Sequence, residues 1–284
     1  MSHGHVQIRT MTSADISLGM ELKEIAGWNQ IPADWQRLLA LEPQGCFVAV
    51  CDGVDVGTAT TTTYEDKFGW VAMVLVHPHY RRRGIGTALL YAAIDYLEER
   101  VGTVKLDATP MGKQLYDTLG FVDEYMMERW LGRGTKPLQL PAVGPITPDI
   151  FPALCEFDRP VFGADRSRLL GMLVNEEPNT ALCIRDAGRV VAYGILRPGY
   201  QAAHLGPLVA LEPEPAETLF RALLAAAGDQ HIYNDMLLPN PNTRELLRKY
   251  GFSKQRHLIR MFRGDNAHPG HPQYIYAASG PAKG

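Results

Sequence analysis

Apolar and polar positions follow the same order of elements twice along the chain. In the first half, alternating residues around an Asp-Gly turn predict a strand hairpin over 45–64, and an apolar run predicts a buried strand over 70–78. A period of 3.6 residues then predicts an amphipathic helix over 84–101. The second half repeats these elements at 180–199, 203–211 and 215–229. The repetition predicts two α/β units, each a mixed, mostly antiparallel, twisted sheet flanked by helices.

Glycine and proline accumulate between the two units, over residues 131–148, where regular periodicity stops. We therefore predict a first domain at 1–134, a linker at 135–147 and a second domain with a tail at 148–284. The tail contains a short β-like run at 273–278. This run predicts an edge strand, paired within the chain or with a second copy, before the tail frays.

Charge and composition narrow the classes of partner. The chain has 28 basic and 31 acidic residues and a formal net charge of −3, so no general field attracts nucleic acid or a membrane surface. Its apolar runs fall short of the roughly 18 residues of a membrane span, and its start lacks a signal-peptide core. Four cysteines show no zinc-like spacing. We expect a cytoplasmic protein without a metal site, a nucleic-acid partner or a membrane partner.

The stretch from His77 to Leu90 places three arginines and two glycines where the buried strand gives way to the helix. Pro78 ends the strand pattern and the helical period begins at Thr87, so these residues lie at a helix N-terminus. Gly84 and Gly86 let successive backbone N–H groups converge, and the helix dipole adds partial positive charge there. This combination predicts a phosphate-binding loop.

Two familiar nucleotide loops do not fit this stretch. A dinucleotide fingerprint needs glycine or alanine where Leu89 stands, and the Gly-Lys-Ser/Thr ending of a Walker loop is absent. The pattern Arg81-x-x-Gly84-x-Gly86 instead resembles the coenzyme A pyrophosphate loop of the GNAT superfamily of N-acetyltransferases. Together with the order of elements around it, this pattern makes the first half similar to that superfamily.

A later segment carries the same resemblance. In residues 108–121, Tyr116 lies five residues before Phe121 of a Gly-Phe pair, as a tyrosine does in the superfamily. The resemblance covers residues 6–130, and the sequence resembles a bacterial subgroup in which a divergent second GNAT domain follows the first.

The second half departs from the pattern at both motifs. Its loop at 211–215 has neither glycine nor arginine and carries two glutamates, which would repel a pyrophosphate. Leu247 stands where the first half has Tyr116. We therefore expect the first domain to be catalytic and the second to be degenerate.

The resemblance implies an acyltransferase that uses acetyl-CoA as co-substrate, without a metal. It implies transfer to a primary amine of a small molecule or peptide by direct attack, and it leaves room for a homodimer. Backbone groups of the strand end would pair with the pantetheine arm, and amides of the loop would hold the pyrophosphate. The implied cofactor-binding residues are Val74, Leu75, Val76, Arg81, Arg82, Arg83, Gly84, Ile85, Gly86 and Thr87.

Tyr116 is the implied catalytic residue, positioned to protonate or hydrogen-bond the leaving thiolate. A phenol with a pKa near about 10 facing a thiol with a pKa near about 8.5 makes full proton transfer slightly uphill, so hydrogen bonding is enough to account for its role. In a purely structural interpretation the ring of Tyr116 packs against the sheet.

The sequence does not identify the general base that must accept a proton from the acceptor amine. Five acids remain candidates, namely Glu21, Glu24, Glu65, Asp66 and Asp107. Aromatic and amide side chains near the first helix and hairpin form a candidate acceptor pocket, although aromatics at such positions are as often core residues. The acceptor-site candidates are Trp28, Asn29, Trp35, Tyr64 and Trp70.

Two other functions stay open. A non-catalytic acyl-CoA binding or sensing protein would explain the missing base and the degenerate second domain. Mycothiol synthases also have tandem acetyltransferase folds, but there the resemblance places activity in the second domain, against which the loop at 211–215 argues.

Overall fold

The computed structural model describes residues 5–136, 140 and 142–284. Within them, the first half contains β1 (Val6–Thr10), α1 (Ile16–Ile25), α2 (Pro32–Leu41), β2 (Cys46–Cys51), β3 (Val54–Tyr64), β4 (Phe68–Val76), α3 (Ile85–Glu98), β5 (Thr103–Ala108), α4 (Pro110–Thr118) and β6 (Val122–Arg133). Short 3-10 turns precede α1 and α3, at Ser13–Asp15 and Pro78–Tyr80. The hairpin, buried strand and helices that the sequence predicts are all present.

The second half repeats this order of elements. It contains β7 (Val143–Pro145), α5 (Phe151–Phe162), α6 (Ser167–Asn175), β8 (Thr180–Asp186), β9 (Arg189–Arg197), β10 (Ala203–Ala210), α7 (Pro213–Ala227), β11 (His231–Leu237), α8 (Pro241–Lys249), β12 (Ser253–Gly264) and β13 (Ile275–Ala277). A third 3-10 turn, Pro272–Tyr274, leads into β13. The α/β fold predicted from the sequence is confirmed.

The strands of the two halves join into one continuous sheet, which the sequence pattern does not predict. Its order is β1-β2-β3-β4-β5-β12-β6-β11-β10-β9-β8-β7, with β13 beside β10. Only the β4–β5 and β10–β11 pairs are parallel among the described strands. Because β12 lies between β5 and β6, and β6 pairs with β11, the two halves exchange their last long strands.

A pair of opposite charges fixes each exchanged strand in the same way. Arg260 of β12 lies directly across from Asp107 of β5, and its guanidinium donates to both carboxylate oxygens at 2.9 and 3.0 Å. Arg129 of β6 lies across from Asp235 of β11 and donates to both oxygens at 2.7 Å. Such bidentate pairs are geometrically specific, so each defines the register of its strand.

Helices cover both faces of the first part of the sheet. Helix α3 packs its apolar side, including Leu90 and Leu97, on Val71 and Val104. Helices α1 and α2 cover the opposite face, in a core cluster that also contains Phe162 and Leu169 of the second half. The two halves therefore share a hydrophobic core. The predicted division into a first domain (1–134), a linker (135–147) and a second domain (148–284) remains a proposal.

The tail does not fray. Strand β13 pairs antiparallel with β10 of the same chain, which resolves the choice that the sequence left open. Residues beyond it, including Ser279, Ala282 and Lys283, are buried. In the part of the chain that the structure describes, every helix is too short or too polar to cross a bilayer.

Candidate functional site

The sheet opens between β4 and β5. These parallel strands pair only at Phe68, Gly69 and Trp70, which lie opposite Thr103 to Lys105. Beyond Trp70, β4 continues to Val76 with its other edge paired to β3. The edge of β4 that faces β5 therefore has no neighbouring strand over Val71–Val76, the stretch that contains the three predicted strand residues.

A β-bulge interrupts β4 inside this opening. The register with β3 shifts between the Thr60–Ala72 and Thr58–Leu75 pairs, and Met73 has a φ of 50°. The side chains of both Ala72 and Met73 join the core cluster under α1 and α2. The bulge thus changes the alternation of side chains along β4 and turns the local backbone away from regular pairing.

The loop after β4 leads directly into α3. Gly84 is the N-cap of α3 with a φ of 79°, and Arg82 has a φ of 62°. A Cβ built on Gly84 meets no protein atom within 4 Å, and one on Gly86 comes no closer than 3.8 Å, to Val76 Cγ2. The first-turn N–H groups of α3 have no partner within the helix, so they face open space at the positive end of the helix dipole.

The three arginines of the loop are exposed and leave that space accessible. Arg81 Nε donates to the Val76 carbonyl at 2.9 Å, and Arg83 Nη2 donates to the His79 carbonyl at 3.2 Å. The first turn of α3 contains no acidic residue. Backbone donors, cationic side chains and the helix dipole all favour an anion here, as the sequence predicts for a pyrophosphate.

The corresponding region of the second half is built differently. Only Leu211 and Glu212 separate β10 from α7, and α7 begins with Pro213 and has Glu214 in its first turn. Moreover, β13 pairs with β10 at Leu208 and Val209, just beyond the positions where β10 pairs with β11. The chain's own strand therefore lies beside β10 where β4 leaves its edge free.

Tyr116 lies on α4, which follows β5 past the opening. Its ring is half-buried, packs edge-on to Phe121 at 6.1 Å and covers Gly112, whose Cβ would lie 3.1 Å from Tyr116 Cε2. Burial raises the pKa of the Tyr116 phenol to about 12. None of the hydrogen bonds found between the described residues involves the Tyr116 hydroxyl, and with this pKa the phenol stays protonated near neutral pH and is able to donate.

Four of the five predicted acceptor-site residues, Trp28, Trp35, Tyr64 and Trp70, lie in or against one core cluster, but their environments differ. Trp35 is 1% exposed and packs so tightly on α1 that a Cβ at Gly19 would lie 2.8 Å from its ring. Trp35 is therefore a core residue. Trp28 is half-buried beside the same cluster. Asn29 is 7% exposed and its amide bonds the backbone of residues 201–202 in the second half.

Tyr64 and Trp70 lie together on one face of the sheet, but both polar groups bind the end of the chain. Tyr64 Oη donates to the Lys283 carbonyl at 2.7 Å, and Trp70 Nε1 donates to the Pro281 carbonyl at 3.2 Å. These contacts place residues 279–284 beside the predicted acceptor-site residues. The sequence analysis did not predict that.

Asp34 is a second residue that sequence reasoning missed. Its Oδ1 accepts from Lys283 Nζ at 2.9 Å, Arg37 Nη2 at 2.7 Å and Arg197 Nη1 at 3.2 Å. Although burial opposes ionisation, these three cations hold the pKa of Asp34 well below its ordinary value. The only local signal is that Asp34 lies in the first turn of the helix that begins at Pro32, where its Oδ2 accepts from the Ile31 amide.

The five candidate bases occupy different environments. Glu65 accepts from the Asp165 amide, Lys67 and Arg159, which lower its pKa to about 2. Asp107 is fully buried in its pair with Arg260. The remaining three, Glu21, Glu24 and Asp66, are exposed.

Arg260 links Asp107 to the aromatic residues beside the opening. Its guanidinium lies 4.5 Å from the Trp70 ring centroid and donates to Tyr125 Oη at 3.1 Å. A residue of β12, from the second half, thus completes the polar face next to the end of the β4–β5 pairing.

Comparisons with known proteins agree with this geometry. The description "Acetyltransferase (GNAT) family" matches residues 19–121, and "Acetyltransferase (GNAT) domain" matches residues 154–277. The uncharacterized N-acetyltransferase YitH of Bacillus subtilis (strain 168) is 26% identical over 163 residues, which cover 56% of this chain and 57% of that protein. This chain therefore spans little more than half of that relative.

Two solved structures share the fold of almost the whole chain. One is a proposed acetyltransferase from Pyrococcus horikoshii, with a TM-score of 0.86, 24% identity and coverage of 98% of this chain and 96% of that one. The other is a tandem GNAT protein from the clavulanic acid biosynthesis pathway, with a TM-score of 0.61, 13% identity and coverage of 92% and 98%. These structures show the shared fold. The two matched domains show that the chain belongs to the GNAT acetyltransferases, a family of acyltransferases, and carries two GNAT domains in tandem.

Proposed function

We propose that the chain transfers an acetyl group from acetyl-CoA to a primary amine of a small molecule or peptide, by direct attack in a ternary complex within the first half. The observation that carries this proposal is the continuity of the open edge of β4, Val71–Val76, with the glycine-containing N-terminus of α3. An unpaired strand edge and an anion-binding helix N-terminus are the two elements that coenzyme A requires.

The residues present fit this co-substrate. The space in front of Gly84, which a Cβ would enter without meeting protein, accommodates a phosphate against the free N–H groups of residues 82–87. Val74, Leu75 and Val76 supply backbone groups for the uncharged amides of the pantetheine arm. Arg81, Arg82 and Arg83 add the local positive charge that the chain as a whole lacks.

Acetyl-CoA supplies an activated acyl group with a thiolate leaving group. The bulged backbone of β4 around Met73 and Val74 offers an N–H donor to the oxyanion that forms when an amine attacks, a contribution of about 3 kcal/mol for a well-placed donor. Tyr116, which stays protonated, donates a hydrogen bond to the departing sulfur.

The proton of the acceptor amine leaves through water in this proposal. Glu65 is held ionised with a pKa of about 2, too low for an efficient base near neutral pH, and Asp107 is committed to Arg260. Neither of these two carboxylates is therefore free to act as the base.

We further propose that the division of labour follows the predicted domains, with 1–134 catalytic, 135–147 a linker and 148–284 without a cofactor site. The short β10–α7 connection with Glu212 and Glu214, and the placement of β13 beside β10, both support this assignment. In this proposal the second half is still needed for folding, because its strand β12 lies between β5 and β6 of the first half. A homodimer and a cytoplasmic location remain part of the same proposal.

A second candidate function is favoured by one observation. Tyr64 and Trp70 are already bonded to the chain's own residues, so an acyl-CoA binding protein without turnover also fits. Release of free thiol from acetyl-CoA in the presence of a broad panel of amines separates the two functions. Turnover with any amine supports the enzyme, and tight binding without turnover supports the sensor.

A matched pair of glycine variants tests the cofactor site. Gly84 and Gly188 have φ values of 79° and 80°, and neither would bring a Cβ within 4 Å of another residue. Gly84→Asp and Gly188→Asp therefore impose the same backbone strain, but only the first places a carboxylate in the proposed pyrophosphate site. Calorimetric titration with acetyl-CoA should give a Kd raised at least about a hundredfold for Gly84→Asp. Equal affinity of the two variants would refute the site.

A further inference from the structure

Residues 279–284 pass between the two halves after β13. The Ala278 amide donates to the Asp235 carbonyl at 2.9 Å, and the chain then forms a tight turn closed by Lys283 N to Gly280 O at 3.1 Å and Ser279 N to Gly284 O at 2.9 Å. Pro281 occupies the position of this turn that proline favours. The turn is compact and lies in the shared core rather than on the surface.

Side chains from both halves recognise the backbone of this turn. The Pro281 and Lys283 carbonyls accept from Trp70 and Tyr64 of the first half. The Ser279 carbonyl accepts from Arg197 Nη2 of the second half at 2.9 Å. Hydrogen bonds to main-chain carbonyls define the path of a peptide rather than the identity of its side chains.

The lysine of the turn defines one side-chain pocket. Lys283 Nζ bonds Asp34 Oδ1 at 2.9 Å although the two residues are 249 positions apart, and the two side chains are 2% and 3% exposed. Removing an ammonium from water is costly, and here a buried carboxylate offsets that cost. Burial lowers the pKa of Lys283 to about 7 despite the neighbouring Asp34, so near neutral pH the amine in this pocket exchanges between its ammonium and neutral forms.

The neighbours of the lysine must be small. A Cβ at Gly284 would lie 2.9 Å from Phe162 and 3.0 Å from Trp70, and one at Gly280 would lie 3.3 Å from Arg197 Nη2. The φ values of 82° and 116° at Gly284 and Gly280 also favour glycine. Ala282 packs in the cluster that contains Ala72 and Met73 of the β4 bulge.

The turn borders the place where the sheet opens. Trp70, which bonds Pro281, is the last residue of β4 to pair with β5 before the two strands separate. The cavity left beside the turn is lined by Asn29, Asp34, Arg197 and Lys283 and has a volume of about 20 Å³. That volume holds about one water molecule, so a larger acceptor can enter from this face only when the turn leaves.

We infer that the cleft between the halves recognises a lysine presented on a tight turn of small residues, and that residues 279–284 fill it as an internal ligand which a lysine-bearing acceptor peptide displaces. This inference rests on the proposed acetyl transfer to a primary amine and names the class of acceptor. Asp34 binds the lysine amine, and Tyr64, Trp70 and Arg197 bind the carbonyls of the turn.

The first test uses a synthetic peptide, Ser-Gly-Pro-Ala-Lys-Gly with both ends capped, and its twin with norleucine in place of lysine. Calorimetry without acetyl-CoA measures their binding to the intact chain, to Lys283→Met, and to the control Lys254→Met, which removes a lysine that is 44% exposed and bonded to Glu128. In the wild type the internal turn competes at an effective concentration in the millimolar range. We expect the lysine peptide to bind Lys283→Met at least about tenfold more tightly than wild type or Lys254→Met, and the norleucine peptide to bind none of them.

If Lys283→Met does not fold, amide hydrogen exchange of the wild-type chain provides a second test. Millimolar lysine peptide should accelerate exchange of the amides of residues 279–284, and the norleucine peptide should not. Equal binding of the two peptides, or binding without faster exchange in this segment, would overturn the inference. Since acetyl-CoA is absent, these results are independent of the Gly84 and Gly188 comparison that tests the proposed function.

Discussion

Tyr116 combines burial of its ring with a hydroxyl for which no hydrogen bond is found among the described residues. The ring contacts Phe121 and Gly112, so packing holds α4 and orients the phenol. Because its pKa is raised to about 12, the phenol does not ionise near neutral pH and can only donate a hydrogen bond. The structural and catalytic interpretations of Tyr116 therefore predict different effects on kcat when its hydroxyl is removed.

Replacement of Tyr116 by phenylalanine keeps the packing and removes the donor. We expect Tyr116→Phe to lower kcat about tenfold, the effect of losing one hydrogen bond in the transition state, with little change in the KM for acetyl-CoA. The ratio of mutant to wild-type kcat should stay constant from about pH 7 to about pH 10, because the phenol titrates above that range. Tyr91→Phe on α3, where the tyrosine is 53% exposed, is the control. An unchanged kcat in Tyr116→Phe would leave Tyr116 a packing residue.

The geometry of the loop could be predicted from the sequence because it depends on local signals. Gly84 needs only a strand end before it and a helix after it, and both are visible in the apolar pattern. Asp34 and Lys283 form a pair across 249 positions, and neither belongs to a motif. The acceptor region was therefore predicted only as four aromatic residues and Asn29, and Trp35, Tyr64 and Trp70 are all buried in one core cluster.

At the scale of elements, the exchanged strands β6 and β12 tie the two halves together. Each carries an arginine directly across from an aspartate of the other half, Arg129 with Asp235 and Arg260 with Asp107. The sequence predicts the strands but not their partners, because the apolar pattern of a strand is the same whichever neighbour it pairs with. Register and partner are decided by these buried pairs, which only the tertiary structure brings together.

We expect the pair formed by Asp107 and Arg260 to stabilise the fold rather than to take part in proton transfer. Asp107→Asn leaves the Arg260 guanidinium, 4% exposed, without its counter-charge, and we expect the free energy of unfolding in urea to fall by about 3–5 kcal/mol. Glu98→Gln, which breaks the exposed pair with Arg263, should change it by less than about 1 kcal/mol. If Asp107→Asn instead abolished acetyl transfer at unchanged stability, Asp107 would be the general base after all.

At the scale of the whole molecule, the two similar halves differ at the strand edge and at the loop that form the proposed cofactor site in the first half. In the first, the edge of β4 is open and the loop to α3 is eight residues long, from His77 to Gly84. In the second, β13 pairs with the equivalent strand, and two residues join it to a helix with an acidic first turn. The segment that follows β13 continues between the halves, so residues 279–284 contact both.

The sequence predicts this asymmetry at the loops but not at the strands. Glutamates at 212 and 214 and the absence of glycine are local signals against a phosphate site. The pairing of β13 with β10 joins positions about 70 residues apart, such as Leu208 and Ala277. The periodicity of the sequence does not predict such a contact. The proposed division into one active half and one supporting half therefore depends both on the loop residues and on the pairing of β13.

The number of acetyl-CoA sites per chain tests this account most directly. Calorimetric titration of the full chain measures it, and the affinity of Gly84→Asp assigns any site to the first half. We predict one site per chain in the wild type, lost in Gly84→Asp. Two sites would mean that the second half binds the co-substrate despite its acidic loop and the β13 strand, and no binding at all would contradict the proposed function.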